Sequence, residues 1–249
     1  MDTTVDVGAL AGRFERQEPE AILRWALETV DRIAIASAFQ AEGTCVLHMA
    51  TRIRPDVPVL FLETGFHFPE TLAFRERLAE RLSLNVTELR GDHTPETQAA
   101  EYGDRLYERN PDLCCHLNKV VPFTRALHEY DAWVTALRRD SAPTRANTPI
   151  VERYELEPGR PMLKVNPVAR WTRGDVWRYL AEHDLPHNPL YERGFAQIGC
   201  WPCTRAIRDG EGERAGRWDG SAKVECGLHV NEPPGSASRP GMPDGRTTR

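Results

Sequence analysis

Residues 57–82, VPVLFLETGFHFPETLAFRERLAERL, decide the architecture. The apolar run at 57–62 has the length and bulk of a buried strand. Glu63, Thr64 and Gly65 supply a turn, and Pro69 suits the first turn of the helix that follows, where a missing N–H costs nothing. LNVTEL at 84–89 reads as the next strand, which makes the stretch a β-α-β unit. The same rhythm extends outward in both directions. Upstream, Ile22, Leu23, Ala26, Leu27 and Val30 fall at helical spacing and lead into the short apolar run RIAIASAF. Downstream, VVPFTRALHEY reads as helix and AWVTALRR as strand. The expected fold is therefore α/β: an open, mostly parallel sheet with helices on both faces. In such sheets ligands sit beyond the carboxyl ends of the strands, so the loops beginning at Ser37, Glu63 and Arg138 should share one edge.

After the helix TRGDVWRYLAEHD the texture changes to Pro, Gly, Asn and charge. The expected organisation is an N-terminal extension at 1–19, a nucleotide-binding α/β domain at 20–190, and a loop-rich C-terminal segment at 191–230. A tail at 231–249 is too polar to bury surface and is expected to be disordered. The chain has 249 residues, with 32 Lys and Arg against 37 Asp and Glu, a net charge of −5. That balance gives no basic footprint for nucleic acid. No apolar run approaches the roughly 20 residues that span a bilayer, and the first residues lack a basic and then apolar leader. A cytoplasmic protein is expected, and assembly of identical chains is left open.

The six cysteines are the most informative residues. Without a secretory leader they read as ligands or reactive thiols rather than a disulfide framework. Cys200 and Cys203 form a Cys-x-x-Cys pair, which by itself fits a metal, a redox dithiol or packing. Cys114 and Cys115 add two more thiols from the α/β domain, and four thiols in two clusters suit one site that ties domain to segment. Zinc and an iron-sulfur cluster are both candidates. Adjacent side chains diverge, which favours the larger cluster over one small ion. Cys226, in VECGLH, stands apart beside Glu225 and His229; a reactive thiolate needs a cationic neighbour. Cys45, at helical spacing in TCVLHMA, reads as a buried small residue.

Several residues fit anion handling. SAFQAEG, residues 37–43, follows a strand and opens a helix whose N-terminus favours negative charge. It lacks the glycines and lysine of a Walker A loop, so hydrolysis of a nucleoside triphosphate is not indicated. Lys119 lies one helical turn after Cys115, and Arg214 and Arg217 have a similar spacing. The competing reading for each is a solvated charge, with Glu211, Glu213 and Asp219 nearby. Arg138, Arg139 and Arg145 follow a strand at the ligand edge; their competing reading is a turn held by Pro143 and an ion pair to Asp140.

Taken in order, SAFQAEG, FLETGFHFPET, DLCCHLNK, LRRDSAPTRAN, GCWPCTR, GERAGRW and ECGLH resemble the assimilatory adenylyl-sulfate (APS) reductases, relatives of the phosphoadenylyl-sulfate (PAPS) reductases. The resemblance runs from about residue 20 to 230. Paired CC and CxxC motifs resemble the cluster-bearing branch, which implies one 4Fe-4S cluster on Cys114, Cys115, Cys200 and Cys203. It implies Cys226 as the nucleophile that takes the sulfonate from APS, releases AMP and carries an S-sulfocysteine until thioredoxin or a similar dithiol frees sulfite. By the same resemblance Lys119, Arg214, Arg217 and His229 would surround the phosphosulfate, and Ser37, Phe39 and Leu62 would cradle the nucleotide. Asn118 departs from the arginine many members carry, and SAFQAEG departs from the SGGxDS-type loop of ATP-splitting relatives. Two rivals stand beside this: a cluster-bearing PAPS reductase, which needs a pocket for a 3'-phosphate, and a zinc-stabilised nucleotide-binding or sulfur-carrier module without turnover.

Overall fold

The computed structural model describes residues 6–228. In chain order the main elements are α1 (Val7–Phe14), α2 (Pro19–Thr29), β1 (Ile33–Ala36), α3 (Ala41–Thr51), β2 (Pro58–Glu63), α4 (Pro69–Leu82) and β3 (Asn85–Arg90). They continue with α5 (Pro95–Tyr102), α6 (Leu106–Arg109), α7 (Pro111–Cys115), a π-helical turn (His116–Val120), α8 (Val121–Leu127), β4 (Ala132–Val134), β5 (Val151–Glu157), β6 (Arg160–Val165) and α9 (Arg173–Glu182). The sheet order is β3-β2-β1-β4-β6-β5. Every neighbouring pair is parallel except β5 with β6. The expected mostly parallel α/β sheet is thus what forms.

Alternation along the strands explains the layers. Ile33, Ile35, Val59, Phe61 and Val134 face one core together with buried residues of α2, α3, α4 and α9. Ala34, Leu60 and Trp133 point the other way and pack on Phe123 and Leu127 of α8. Successive side chains of a strand must leave on opposite faces, and both faces are apolar because both are covered.

Three features were not anticipated. The β5–β6 hairpin extends the sheet antiparallel at one edge, turning at Gly159 with φ of 81°. The strand expected at AWVTALRR ends after Val134. The Thr135 hydroxyl donates to Asn166 Oδ1 and accepts the Leu137 N–H at 3.3 Å, which bends the chain out of the ladder. The expected N-terminal extension contains α1, and Phe14 at its end is 2% exposed in the main core. Among the described residues no helix is long and apolar enough to cross a membrane. The expected tail at 231–249 lies outside the described residues.

The order of the sheet reverses between β1, followed in sequence by β2 on one side, and β4 on the other. Loops leaving the carboxyl ends of β1 and β4 must diverge there and open a crevice. The C-terminal segment closes over it: the Ile198 N–H donates to Gln40 Oε1 at 3.0 Å, and the Ala41 N–H donates to the Tyr191 hydroxyl at 3.0 Å. That second bond corrects the expectation for SAFQAEG, since one amide at the start of α3 is committed to the protein itself.

Candidate active site at the sheet edge

The crevice is a single cavity whose wall includes Ser37, Leu62, Lys119, Arg214, Arg217 and Cys226. Ser37 and Leu62 lie at the ends of the first two strands, Lys119 on the π-helical turn, and the rest on the C-terminal segment. Six residues from four separate stretches of the sequence therefore share one wall. Phe39 is not on that wall. Its side chain is fully buried and packs edge-on against Phe61 at 5.5 Å, while its φ of 53° turns the chain between Ser37 and Gln40. His229 lies outside the described residues.

Beside this crevice Cys114, Cys115, Cys200 and Cys203 border a second, smaller cavity, with Lys119, Arg217 and Trp218 shared on its wall. Local structure explains the convergence. From Pro111 to Leu127 the chain is one continuous helical path interrupted by the π-helical turn. The Asn118 side chain donates to the Cys114 carbonyl at 2.9 Å, taking the acceptor a regular α-helical bond would use, and the Val121 N–H reaches back to the His116 carbonyl. Such wide turns recur at functional sites because they rotate side chains out of helical register. Gly91 admits this turn: a Cβ there would stand 2.7 Å from the Leu117 carbonyl oxygen. Asn118 is buried and also donates to Cys114 Sγ at 3.6 Å. Gln98 Nε2 contacts the same sulfur at 3.8 Å, and the Thr64 hydroxyl lies 3.4 Å from Cys200 Sγ. Buried amide and hydroxyl groups around sulfur suit thiolate ligands. Among the described residues no three His, Cys, Asp or Glu side chains are gathered around the point a single ion would take.

Electrostatics separate the thiols. Burial, and then the neighbouring Cys200, push the Cys114 thiol up. Cys203 is pushed up to about 11 by the same two causes. Cys115 rises through its hydrogen bond to Cys226 and its burial. Cys226 moves the opposite way and is held well below an ordinary thiol. The Cys115 hydrogen bond is the largest cause; burial opposes it, and Lys119, the Leu228 amide and Arg217 add to it. Burial works against the Lys119 ammonium, but the facing sulfurs of Cys200, Cys226 and Cys115 hold its pKa up. A thiolate and an ammonium thus stabilise one another in a place where water is scarce. Cys45 is fully buried and its thiol is raised by desolvation, as a core residue should be.

The arginines divide between structure and site. Arg138 is wholly buried and bonded to Glu42 at 2.9 Å, Glu213 at 2.7 Å and Asp140. Arg139 pairs with Glu15. The ion pair expected to Asp140 is made by Arg138, whereas the partner of Arg139 is Glu15. Arg145 and Arg214 line the crevice and share the carboxylate of Glu225. Burial, and then Arg145, lower the Arg214 pKa to about 10. Arg217 stacks over Trp218 at 4.3 Å, and Gly199 leaves room for its guanidinium, which a Cβ would meet at 2.5 Å. The acidic neighbours that made Arg214 and Arg217 look like solvated charges are engaged elsewhere: Glu211 and Asp219 with Arg205, Glu213 with Arg138.

Sequence reasoning missed His67. Its Nε2 lies 2.8 Å from the Leu62 carbonyl, so that nitrogen carries the proton, and its Nδ1 is buried without a partner. Burial lowers the pKa of the ring, leaving a neutral acceptor on the crevice wall. No local pattern marks such a residue, because its role depends on a carbonyl five residues away and on the opposite wall.

The model of the phosphoadenosine phosphosulfate reductase domain matches residues 32–206. The chain is 47% identical over 232 residues to an adenosine 5'-phosphosulfate reductase from Streptomyces coelicolor, covering 91% of this chain and 96% of that one. It is 46% identical over 225 residues to a phosphoadenosine 5'-phosphosulfate reductase from Gloeobacter violaceus, covering 89% and 92%. A crystal structure of a PAPS reductase from Candida auris, in complex with phosphate, superposes with a TM-score of 0.70 at 28% identity, covering 83% of this chain and 98% of that one. Fold, cavity and these likenesses agree: the chain belongs to the phosphoadenosine phosphosulfate reductase family.

Proposed function

We propose that this chain is a thioredoxin-dependent adenylyl-sulfate reductase of assimilatory sulfate reduction, converting adenosine 5'-phosphosulfate to sulfite and AMP. One observation carries the proposal: a single crevice brings the Cys226 thiol together with Lys119, Arg214 and Arg217 at the sheet's ligand edge. The cations would hold the phosphosulfate oxygens by charge-assisted hydrogen bonds. The Cys226 thiolate attacks the sulfonate sulfur, an S–S bond forms, and the S–O bond to phosphate breaks with its electron pair leaving on AMP. One thiol of an external dithiol then attacks Cys226 Sγ and sulfite departs with the electron pair of the broken S–S bond. The second thiol resolves the mixed disulfide, so the dithiol supplies both electrons. Cytoplasm, where thiols stay reduced, is the compartment that fits this chemistry.

Cys114, Cys115, Cys200 and Cys203 would hold one 4Fe-4S cluster. Their donor set is all sulfur, they border one cavity without closing on a single-ion point, and hydrogen-bond partners surround two of the sulfurs. Bound there, the cluster supplies an electrostatic and structural environment for the sulfate end of the substrate. A PAPS reductase is the second reading, favoured by the Gloeobacter violaceus relative's name at nearly equal identity.

Turnover of Cys226→Ser tests the nucleophile. The variant should retain iron and AMP binding and release no sulfite; sulfite production at a comparable rate would remove Cys226 from the role. Equal or faster use of PAPS than APS by the unaltered protein would exchange the first reading for the second.

A further inference from the structure

Glu225 precedes the proposed nucleophile, and its carboxylate is enclosed on three sides. Arg145 Nε and Nη2 donate to its two oxygens, each at 2.9 Å, as a planar fork. Arg214 Nη2 donates to Oε2 at 3.1 Å, and the Thr144 hydroxyl to Oε1 at 3.0 Å. Arg214 also donates to the Val224 carbonyl at 2.9 Å. Both arginine side chains and that of Glu225 are only 12% exposed. Burial alone would raise the Glu225 carboxyl, but Arg145 and then Arg214 outweigh it and hold it ionised. On the other side of Cys226's segment, Lys223 pairs with Asp112 of α7.

Beside these ion pairs of Glu225, residues 224–226 are held by a hydrogen bond between Cys226 and Cys115. Cys226 itself has no regular secondary structure around it, and its sulfur must stand in line with a bond in a substrate held by the sheet edge. The segment lacks a strand or helix to fix it, and a charged, bidentate clamp can do so. Arg145 comes from the short turn Pro143–Arg145 in the loop after β4, so the clamp ties the thiol's segment to that loop.

We infer that Glu225 is a positioning residue, which docks Cys226 over the crevice by bridging Arg145 and Arg214. The inference rests on the reading of Cys226 as nucleophile. It divides the cationic wall into two jobs. Arg145 is given over to the chain's own carboxylate, while Lys119, Arg217 and a partly neutralised Arg214 face the incoming anion. Docking therefore aids the first step, attack on sulfur. It does not aid the second, in which an external thiol must reach Cys226 and a less firmly held segment is no handicap.

The test is single-turnover kinetics on cluster-loaded protein with substrate carrying labelled sulfur. Glu225→Gln and Glu225→Asp would be compared with the unaltered chain and with Cys226→Ser. For Glu225→Gln the labelled protein adduct should form about 10–100-fold more slowly at saturating substrate, the range a misplaced reacting group produces. KM should stay level or fall, because two guanidinium groups are released. Discharge of the adduct by dithiothreitol should be unchanged or faster, and iron content unchanged. Glu225→Asp, which keeps the charge, should recover part of the rate. Adduct formation in Glu225→Gln at the unaltered rate, or slowing of formation and discharge by the same factor, would overturn the positioning role. A labelled adduct in Cys226→Ser would instead overturn the nucleophile assignment beneath it.

Discussion

Arg138 offers a sharp test of how the C-terminal segment is anchored. Its side chain is 1% exposed, and it holds three carboxylates at once: Glu42 from α3, Asp140 from its own loop and Glu213 from the C-terminal segment. Arg138→Met keeps much of the aliphatic stem and removes the charge, so the loss is electrostatic rather than a large cavity. Removing one partner of a buried ion pair costs about 3–5 kcal/mol, because the remaining charge is left without compensation. The three carboxylates keep 13%, 37% and 18% of their side-chain surface, so water can reach them and the lower end applies. At roughly 2–4 °C per kcal/mol for a chain of this size, a loss of about 3 kcal/mol lowers Tm by roughly 6–12 °C. Calorimetry on the loaded protein would measure it. Adding Glu42→Gln and Glu213→Gln to Arg138→Met should restore a substantial part, since the two less exposed of the three stranded charges are then gone. A Tm within about 2 °C of the unaltered chain, or no recovery in the triple variant, would refute the idea that this buried network pins segment to sheet.

Three further outcomes follow from the same geometry. Lys119→Ala should lower kcat/KM by about 10²–10³, the scale of losing one preorganised charge in an active site, and should raise the Cys226 thiol pKa, which Lys119 depresses. The pH profile of Cys226 alkylation would then move toward higher pH. His67→Phe should weaken AMP binding by about 5–10-fold, the value of one hydrogen bond of ~1 kcal/mol, measured by titration calorimetry. The Glu15 carboxyl is held below its usual range by its hydrogen bond to Arg139. Its folded pKa is depressed, so its hold on α1 is full above the unfolded value of about 4.3 and is lost as pH falls through the lower folded value. Amide exchange in α1 should accelerate in that acid range and stay level, after correction for intrinsic rates, between pH 5 and 8.

The sequence by itself determined the fold class, because the period of apolar residues is a local property that strand and helix geometry impose directly. It also singled out five of the six thiols, since CC, CxxC and ECGLH are short local patterns, and those five line two adjoining cavities. The β5–β6 hairpin was less legible, since VERYELE is charged at four of its seven positions and its Pro158-Gly159 turn resembles any loop signal. Tertiary structure alone decided what each charge does. Arg138, Arg145, Arg214 and Arg217 look alike in sequence, yet one is wholly buried among carboxylates, two grip Glu225 and one lies over Trp218. Phe39 and His67 exchanged places for the same reason, the aromatic ring going to the core and the imidazole to the crevice wall. An ionic or hydrogen-bonding partner is chosen by distance in space, and residues 75 and 80 positions apart in the chain, such as Arg138 with Glu213 and Arg145 with Glu225, meet only after the sheet has formed.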